Sequence, residues 1–567
     1  MNDSTIEISQ FSTSFQGLTT SHAALTAYMS STSILYEMPG SIRSSPISRQ
    51  VAIALAHGQA LSMTSNVLPT TTLVRAAHQG KKRVGDNSTC LAETETQVIS
   101  RVSVAQHPWT WPSRAKYSAV FWLFALTIAV NVNGAGFAPI AESVAKELNT
   151  SKQTLLVGNA LYFVAQGVAP LLLAPLSEIQ GRLVIYSVSG ALFCLLYIPQ
   201  ALARHAAVWI LARIIQGCVG SVVEANVGGS LADLFHPSQR GVILSAYVAT
   251  NYVGTGCGPL LTAASASLGW RSQAWIAMAL AASVAIGLLI FGKETRLLDP
   301  GRADISPSSP PNEPLESQCS ERNGSDRADS RSCGRDLARP LVYLFTEPIV
   351  AIFSVWIGFT FGVCYLVIES AYIIFKAQPT PFHGSKATME YGWTDLQTSG
   401  ALLAYVAGAL LGFLTSLHQE KVYQGVARRC EGRPTPSEAR LGWSFVGGVT
   451  FAAACFWYAF AAQPNVHPAA AIVALAFIVA GVFPIHCASF AYLADIYEEF
   501  AASALAGQTF VRTVAAGCFP LFADDMYRAL TPPIASAVLG AVAALQCAIP
   551  LILMRYGPAL RARSRRA

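Results

Sequence analysis

The sequence has few charged residues. Lysine, arginine, aspartate and glutamate make up 12% of its 567 residues, whereas hydrophobic residues make up 52%. The mean hydropathy is +0.42. Soluble domains carry about 25% charged residues, so this composition excludes an ordinary soluble protein and predicts a membrane protein. The net charge of +6 is too small to indicate nucleic acid as a partner.

The sequence also lacks the patterns of common catalytic and metal sites. Its 12 cysteines are scattered, mostly in apolar stretches, with no CxxC pair and no cysteine–histidine cluster. Neither a disulfide framework nor a metal site is therefore predicted. Without a nucleophile–base pair or a phosphate-binding loop, we expect neither an enzyme nor a bound cofactor. The amino terminus is polar and its apolar run at 51–63 is too short to span a bilayer, so no signal peptide is predicted.

Long apolar runs dominate the rest of the chain. About 20 apolar residues cross a bilayer as a helix, and the sequence predicts twelve such spans. Six precede a hydrophilic linker and six follow it: 118–140, 154–176, 184–203, 207–229, 241–263, 273–292, 345–370, 394–416, 441–462, 468–493, 503–523 and 533–555. Two equal sets are typical of secondary transporters built on repeats. The predicted fold class is an all-α membrane protein with two six-helix bundles.

The predicted domains follow from the same pattern. The first segment is a Ser- and Thr-rich, disordered cytosolic tail. A regulatory role for this tail and a mistaken extension of the gene model are the alternatives. The boundaries are 1–112 for the tail, 113–292 for the first bundle, 293–344 for the cytosolic linker, 345–556 for the second bundle and 557–567 for a basic cytosolic tail.

Lysine and arginine are concentrated in alternate loops. Because positive loops stay in the cytosol, we expect both termini to be cytosolic and the chain to cross the cell membrane many times. The same orientation places the sequon at Asn149 outside, where glycosylation is possible.

The stretch 213–241 carries polar groups at membrane depth. Arg213, Gln216 and Glu224 interrupt an apolar helix, and a charge there costs about 2.5–3.5 kcal/mol, so we predict that this helix lines a transport pathway. Glu224 lies about 16 Å along the helix from Arg213, too far for a direct ion pair. The loop that follows, from Asp233 to Arg240, is a candidate gate.

Other polar groups lie inside predicted spans. Glu369 has no charge nearby in sequence and is a candidate for proton or substrate binding; a place near the outer mouth or a structural hydrogen bond is the alternative. His486 is either a proton carrier or a hydrogen-bonded structural residue. Asp495 and Arg512 are expected to form contacts at the cytosolic end, and a direct gating role is the alternative. Asn133 is a candidate polar group of a central cavity.

Two glycine-containing motifs suggest tight turns or close packing. In LAPLSEIQGRLVIY, Glu178 and Arg182 offer opposite charges at the cytosolic mouth, and Gly181 permits a turn. In GTGCGPLL, Gly254 and Gly258 share one helix face, which allows close helix packing. Pro259 removes a backbone hydrogen bond and permits a kink.

These segments together resemble one family. LAPLSEIQGR, RIIQGCVGS, GGSLADLFHPSQRG, GTGCGPLL, LFTEPIV, YGW, RLGW and YLADIYEEFAASALAGQTFVR are similar to the fungal twelve-span drug:proton antiporters of the major facilitator superfamily, over about 105–556. The resemblance implies two six-helix bundles, a central cavity, alternating access and proton-driven export. It also implies residue roles: a gating loop at Glu178, Gly181 and Arg182, proton coupling at Arg213, Gln216 and Gly217, and an antiporter motif at Gly254, Gly258 and Pro259.

The chain departs from the family pattern at two positions. Leu183 stands where a second basic residue is expected, which predicts a weaker gate. Thr262 stands where a glycine is expected, so the antiporter motif is incomplete.

The sequence therefore predicts a proton-coupled efflux transporter. We expect it to export small organic molecules such as drugs, fungicides or secondary metabolites, with the proton gradient in place of a cofactor. Its partners would be substrate, protons and the lipid bilayer, and a monomer is expected. Uptake of a nutrient or polyamine by the same fold and a transporter-like sensor are the alternatives.

Overall fold

The computed structural model describes residue 108 and residues 111–235, 237–295, 339–376, 391–430, 437–463, 465–497 and 501–563. The predicted tail before residue 108 and most of the predicted linker lie outside the described residues. We call 111–295 the N-terminal half and 339–563 the C-terminal half.

The N-terminal half is built from helices joined by short turns. They are α1 (Ser113–Ala135), α2 (Ala141–Glu147), α3 (Lys152–Val168), α4 (Pro170–Gln180), α5 (Arg182–Leu195), α6 (Tyr197–Ala201), α7 (Ala206–Gly220), α8 (Val222–Leu234), α9 (Pro237–Ala266) and α10 (Trp270–Phe291).

The C-terminal half continues in the same way. Its helices are α11 (Pro348–Phe375), α12 (Asp395–Ala401), α13 (Ala404–Arg429), α14 (Gly442–Ala461), α15 (Pro468–Tyr497), α16 (Ala501–Cys518), α17 (Ala523–Leu530), α18 (Pro532–Gln546) and α19 (Ala548–Arg563). Short 3-10 turns at Ala138–Ile140, Ser437–Arg440 and Phe519–Phe522 connect neighbouring helices.

Ten helical stretches in the described residues are long and apolar enough to cross a membrane. They match ten of the twelve predicted spans, in the predicted order. The other two predicted spans, the fifth and the eleventh, correspond to α9 and α16, which are helical but not among the ten. Both carry polar side chains inside the bundle, including Asn251 on α9 and Arg512 on α16. The predicted all-helical membrane fold is confirmed.

Local sequence signals fix several helix ends. The Ser151 hydroxyl accepts a hydrogen bond from the Thr154 N–H and caps α3, while Thr394 and Gln397 form a reciprocal capping box at the start of α12. Gly181 lies between α4 and α5 and has φ at 94°, outside the helical range. Residues with a side chain rarely adopt this conformation, so a glycine is favoured at this turn.

The two halves meet along two helix pairs. In the N-terminal half α1 packs on α9 and α3 packs on α7, and in the C-terminal half α11 packs on α16 and α14 on α15. Between the halves, α3 packs on α16 and α9 packs on α13. Polar side chains on α3, α9, α13 and α16 are therefore placed to reach the opposite half.

Candidate functional site

Arg213 lies inside the N-terminal half at the centre of a polar network. Its guanidinium donates to the Asn133 side-chain oxygen at 2.6 Å and also to that of Asn159. Asn133 in turn donates to the Gln216 side-chain oxygen at 2.9 Å. The Tyr162 ring lies 4.9 Å from the guanidinium carbon. The structure thus brings together three of the predicted residues, Arg213, Gln216 and Asn133. It adds Asn159, which the sequence analysis missed, although an amide side chain within the apolar second span could have indicated it.

Glu224 forms an ion pair with Arg512 of the opposite half. The Arg512 Nη2 lies 2.5 Å from a Glu224 carboxylate oxygen, and the side chains are only 2% and 5% exposed. Arg512 also stacks over the Phe361 ring at 4.6 Å. The expectation that Arg512 makes contacts at the cytosolic end is wrong, because it is buried inside the bundle. Glu224 does have a direct partner, and that partner comes from another helix.

Gln508 lies one turn before Arg512 on α16. It is fully buried, and neither its amide nitrogen nor its amide oxygen has a hydrogen-bond partner within the described residues. Residues four apart share one helix face, so Gln508 extends the polar face of Arg512. A buried amide without partners is costly, which makes it a candidate to bind substrate or water.

Glu369 sits at the end of the bundle where α3 begins. Its carboxylate lies 3.6 Å from the Lys152 ammonium of the other half. We call this side of the molecule the Lys152 end. Glu369 is buried, and its role in proton or substrate binding stays a prediction.

Further contacts join the halves at the Lys152 end. The Lys376 ammonium lies 3.2 Å from Glu142 of the opposite half and 3.0 Å from Asp395 of its own half. Burial by itself would lower the pKa of Lys376, but hydrogen bonds and charge attraction from these carboxylates hold it above its usual value. The Gln153 side chain also donates to the Leu521 carbonyl at 2.9 Å. These contacts tie the two halves together at the Lys152 end.

At the opposite end, which we call the Arg182 end, a charged cluster ties three turns together. Arg182 pairs with Asp233 at 3.1 Å. The backbone N–H groups of Arg182 and Leu183 donate to the two carboxylate oxygens of Glu294 at 3.0 and 2.9 Å. The predicted gate residues Arg182 and Asp233 therefore meet, and Glu294 is an additional member. The Glu178 side chain lies outside what the structure describes.

The glycines of this cluster allow close approach. A Cβ atom on Gly181 would lie 2.8 Å from a Glu294 oxygen, and one on Gly229 would lie 2.1 Å from the Arg182 guanidinium. The Arg182 guanidinium thus packs directly against α8 at Gly229. A residue with any side chain larger than hydrogen at this position would collide with it.

A second charged cluster lies at the Arg182 end in the C-terminal half. Asp495 pairs with Arg440 at 2.5 Å, and Glu420 lies 3.8 Å from the same guanidinium. Arg240 donates to the Phe235 carbonyl at 3.1 Å. The predicted gate residues Asp495 and Arg240 are thus both at this end, although they do not pair with each other.

Glu420 also reaches the opposite half. A Cβ atom on Gly241, at the start of α9, would lie 2.3 Å from its carboxylate. This carboxylate therefore stands against the first turn of α9, where the helix dipole favours a negative charge.

A cleft of about 710 Å³ lies between the halves at the Arg182 end. Its size falls within the range of about 300–1,000 Å³ that small-molecule sites occupy. The residues that line it combine charged, amide and aromatic side chains, among them Arg240, Tyr247, Gln419, Glu420, Tyr423, Arg440, Trp443, Phe490 and Asp495. Charged contacts thus join the halves at the Lys152 end, and the cleft lies at the Arg182 end.

His486 belongs to an aromatic wall between the cleft and the Lys152 end. Its ring nitrogen lies 3.3 Å from the Tyr252 hydroxyl of the other half, and its ring packs on Phe361 at 5.4 Å. The Phe163 and Tyr365 rings also meet across the halves, at 4.9 Å. His486 thus has a hydrogen-bond partner in the other half, and both interpretations of this residue stay open. Tyr252 and Tyr365 have no sequence signal that distinguishes them from ordinary span tyrosines.

The GTGCGPLL segment forms the tight crossing of α9 on α1. A Cβ atom on Gly254 would lie 2.7 Å from Asn131, and one on Gly258 would lie 2.8 Å from the Val132 carbonyl. Pro259 lies inside α9 without ending it. The expected close packing is thus present, and Thr262 follows on the same helix, against Gly136 of the α1 turn.

Asn149 is exposed in the turn before α3, with φ at 50°, which leaves its side chain accessible. Among the described residues, no group of histidine, cysteine, aspartate and glutamate side chains is arranged to hold a metal ion.

Comparison with known proteins identifies relatives over most of the chain. The family model described as Major Facilitator Superfamily matches residues 121–520. An ascochitine biosynthesis cluster MFS transporter of Didymella fabae is 31% identical, over 81% of this chain and 87% of its own length. A major facilitator superfamily multidrug transporter of Aspergillus fumigatus is 27% identical, over 83% of this chain and 76% of its own length.

A solved structure agrees with the fold. The human organic anion transporter MFSD10 superimposes with a TM-score of 0.53 at 15% identity, over 78% of this chain and all of its own. At this identity the likeness concerns the fold alone.

Proposed function

The chain belongs to the major facilitator superfamily, and we propose that it exports small organic molecules across the plasma membrane in exchange for protons. Its relatives are transporters, and the chain is a small-molecule transporter of the membrane rather than an enzyme. Proton coupling, the direction of transport and the membrane concerned are parts of the proposal.

The observation that carries proton coupling is the buried ion pair between Glu224 and Arg512. A proton on Glu224 removes the negative charge that stabilises Arg512 and leaves a cation buried without its partner, which is strongly destabilising. Because the pair joins the two halves, protonation changes the relative stability of arrangements in which they touch. A proton shifts such an equilibrium by its difference in affinity for the two states. Glu224 is therefore the first candidate for the proton site and Glu369 the second.

The position of the cleft supports alternating access. The excess of lysine and arginine in alternate loops favours a cytosolic location for the Arg182 end. In this arrangement a cytosolic substrate reaches the 710 Å³ cleft, while the pair of Lys152 and Glu369 blocks the other side. After the halves rock, the Lys152 end opens and the Arg182 cluster closes.

The relatives favour export of secondary metabolites or drugs. Two of them are named as transporters of the ascochitine and citrinin biosynthesis clusters and one as a multidrug transporter. The mixture of aromatic and polar side chains along the cleft suits amphipathic organic molecules.

The test has two stages. A drug-sensitive yeast strain that expresses the chain is screened against a panel of citrinin, cycloheximide, fluconazole and rhodamine 6G. Each compound to which the chain confers resistance is then followed in proteoliposomes that contain a pH-sensitive dye. We expect the compound and protons to move in opposite directions, and a Glu224→Gln variant to lose the proton movement.

Other results would decide against the proposal. Movement of compound and protons in the same direction would favour uptake, and transport without any proton movement would remove the coupling. If removal of residues 1–100 abolished the cellular phenotype without changing flux, the sensor alternative would be favoured.

A further inference from the structure

A small cavity of about 30 Å³ lies beside Arg213, within the N-terminal half. It is separate from the large cleft, and Phe137, Trp209 and Trp270 are among its lining residues. One water molecule needs about 10–15 Å³ of such volume, so the cavity has room for two waters or one small ion but not for an organic substrate.

The charge of Arg213 is compensated differently from that of Arg512, which is equally buried, and from those of the half-buried Arg182 and Arg440. Arg182, Arg440 and Arg512 each form an ion pair with a carboxylate. Arg213 is only 3% exposed, yet within the described residues no carboxylate lies at ion-pair distance from it.

The partners of Arg213 are neutral. Asn133 and Asn159 supply amide oxygens, and the rings of Tyr162 and Trp209 face the guanidinium at 4.9 and 5.3 Å. These groups lower the cost of burial without supplying a negative charge, and a buried cation without a counter-charge is expensive.

The chemistry of the cavity wall suits an anion. Its lining residues contain no aspartate and no glutamate. They include Tyr197, Thr262 and Trp209, whose side chains each carry a hydrogen-bond donor. The Nε of Arg213 is itself buried and has no hydrogen-bond partner within the described residues. A cation would meet the Arg213 charge, whereas an anion would offset it.

We propose that this cavity binds a monovalent inorganic anion of the size of chloride, which neutralises Arg213 inside the N-terminal half. The anion is a structural ligand and is not transported with the substrate. The inference is independent of the direction of transport and of the proton site, because it concerns a cavity within one half.

The test measures thermal unfolding of the purified full chain in detergent. Sodium chloride, sodium bromide and sodium gluconate are compared at equal ionic strength, since gluconate is too large for the cavity. We expect chloride and bromide to raise the unfolding temperature saturably, by at least about 2 °C, because a ligand that binds only the folded state stabilises it. Radioactive chloride should bind in the same concentration range.

Two variants and one control assign the effect to the cavity. Arg213→Gln removes the cation and should abolish the response to chloride. Gln273→Glu places a carboxylate in the cavity wall, keeps Arg213, and should also abolish it, which decides the matter if Arg213→Gln does not fold. Arg204→Gln changes an exposed arginine outside the cavity and should respond like the unaltered chain.

Two outcomes would overturn the inference. Equal unfolding temperatures in chloride and gluconate would mean that the cavity holds water only. A chloride response that persists in Gln273→Glu would mean that the anion binds elsewhere.

Discussion

Glu224 of the N-terminal half and Arg512 of the C-terminal half form an ion pair at 2.5 Å, and both side chains are almost completely buried. The two residues are 288 positions apart in the chain. Arg512 also stacks on the Phe361 ring, and a pair in such a buried place interacts more strongly than one in water.

Breaking this pair should destabilise the protein strongly. Glu224→Gln leaves Arg512 buried without its counter-charge, at a cost of about 3–5 kcal/mol. We expect the unfolding temperature of the purified chain to fall by several degrees. Arg512→Gln should cost a similar amount, and the double variant should cost less than the sum of the two. Strictly additive costs would show that the pair contributes no coupling.

The contact between Lys152 and Glu369 should control access from the Lys152 end. Lys152 is one-third exposed, so the pair contributes roughly 1 kcal/mol or less, and Glu369→Gln should fold normally. We expect the Lys152 end to open more often. A cysteine at position 163, in a cysteine-free background, should react faster with a membrane-impermeant maleimide, and proton-dependent efflux should be lost.

The matched control for this prediction is Asp524→Asn. Asp524 pairs with Arg528 within α17, so this change removes a carboxylate without releasing a contact between the halves. Equal labelling of both variants, or normal efflux by Glu369→Gln at normal surface expression, would refute the role of Glu369.

Adjacent glycines on α8 should respond in opposite ways to alanine. In Gly229→Ala the new methyl group would lie 2.1 Å from the Arg182 guanidinium and would force it away from Asp233. We expect transport to slow several-fold. In Gly228→Ala the nearest atom, on Phe490, is 4.0 Å away, and the helix should gain about 0.5–1 kcal/mol. Transport assays at equal expression compare the two, and equal loss in both would contradict the packing argument.

The crossing of α1 and α9 should tolerate no side chain at Gly258. In Gly258→Ala the methyl group would meet the Val132 carbonyl at 2.8 Å, so the helices would have to separate. We expect lower thermal stability and reduced transport. Gly400→Ala is the control, because no atom of another residue lies within 4 Å of its added Cβ. Full transport by Gly258→Ala would show that the crossing is not under this constraint.

Asn149 offers a test of orientation. Because it is exposed just before α3, a chain made in a eukaryotic host should lose mass when treated with an N-glycosidase. Asn149→Gln should abolish this change. A glycosidase-sensitive mass that persists in Asn149→Gln would place the sugar elsewhere. Access of an external reagent to a cysteine at Leu183, at the Arg182 end, would reverse the proposed orientation.

Much of the architecture can be predicted from the order of apolar and polar residues in the sequence. A helix that crosses lipid must satisfy its backbone hydrogen bonds internally and present apolar side chains, so each span is visible as a local run of residues. The turn at Gly181 and the close helix packing at Gly254 and Gly258 could also be predicted from the sequence. Each depends on the absence of a side chain, which the residue type shows directly.

The pairing of charges is different, because it depends on which helices become neighbours. Nothing near Glu224 or Glu369 in the sequence shows that their partners are Arg512 and Lys152. The sequence by itself determined the membrane class, the order of the spans and the polar residues that needed partners. Only the tertiary structure decided which partner each residue has. The energy of an ion pair depends on the distance between the two charges in space and not on their separation along the chain.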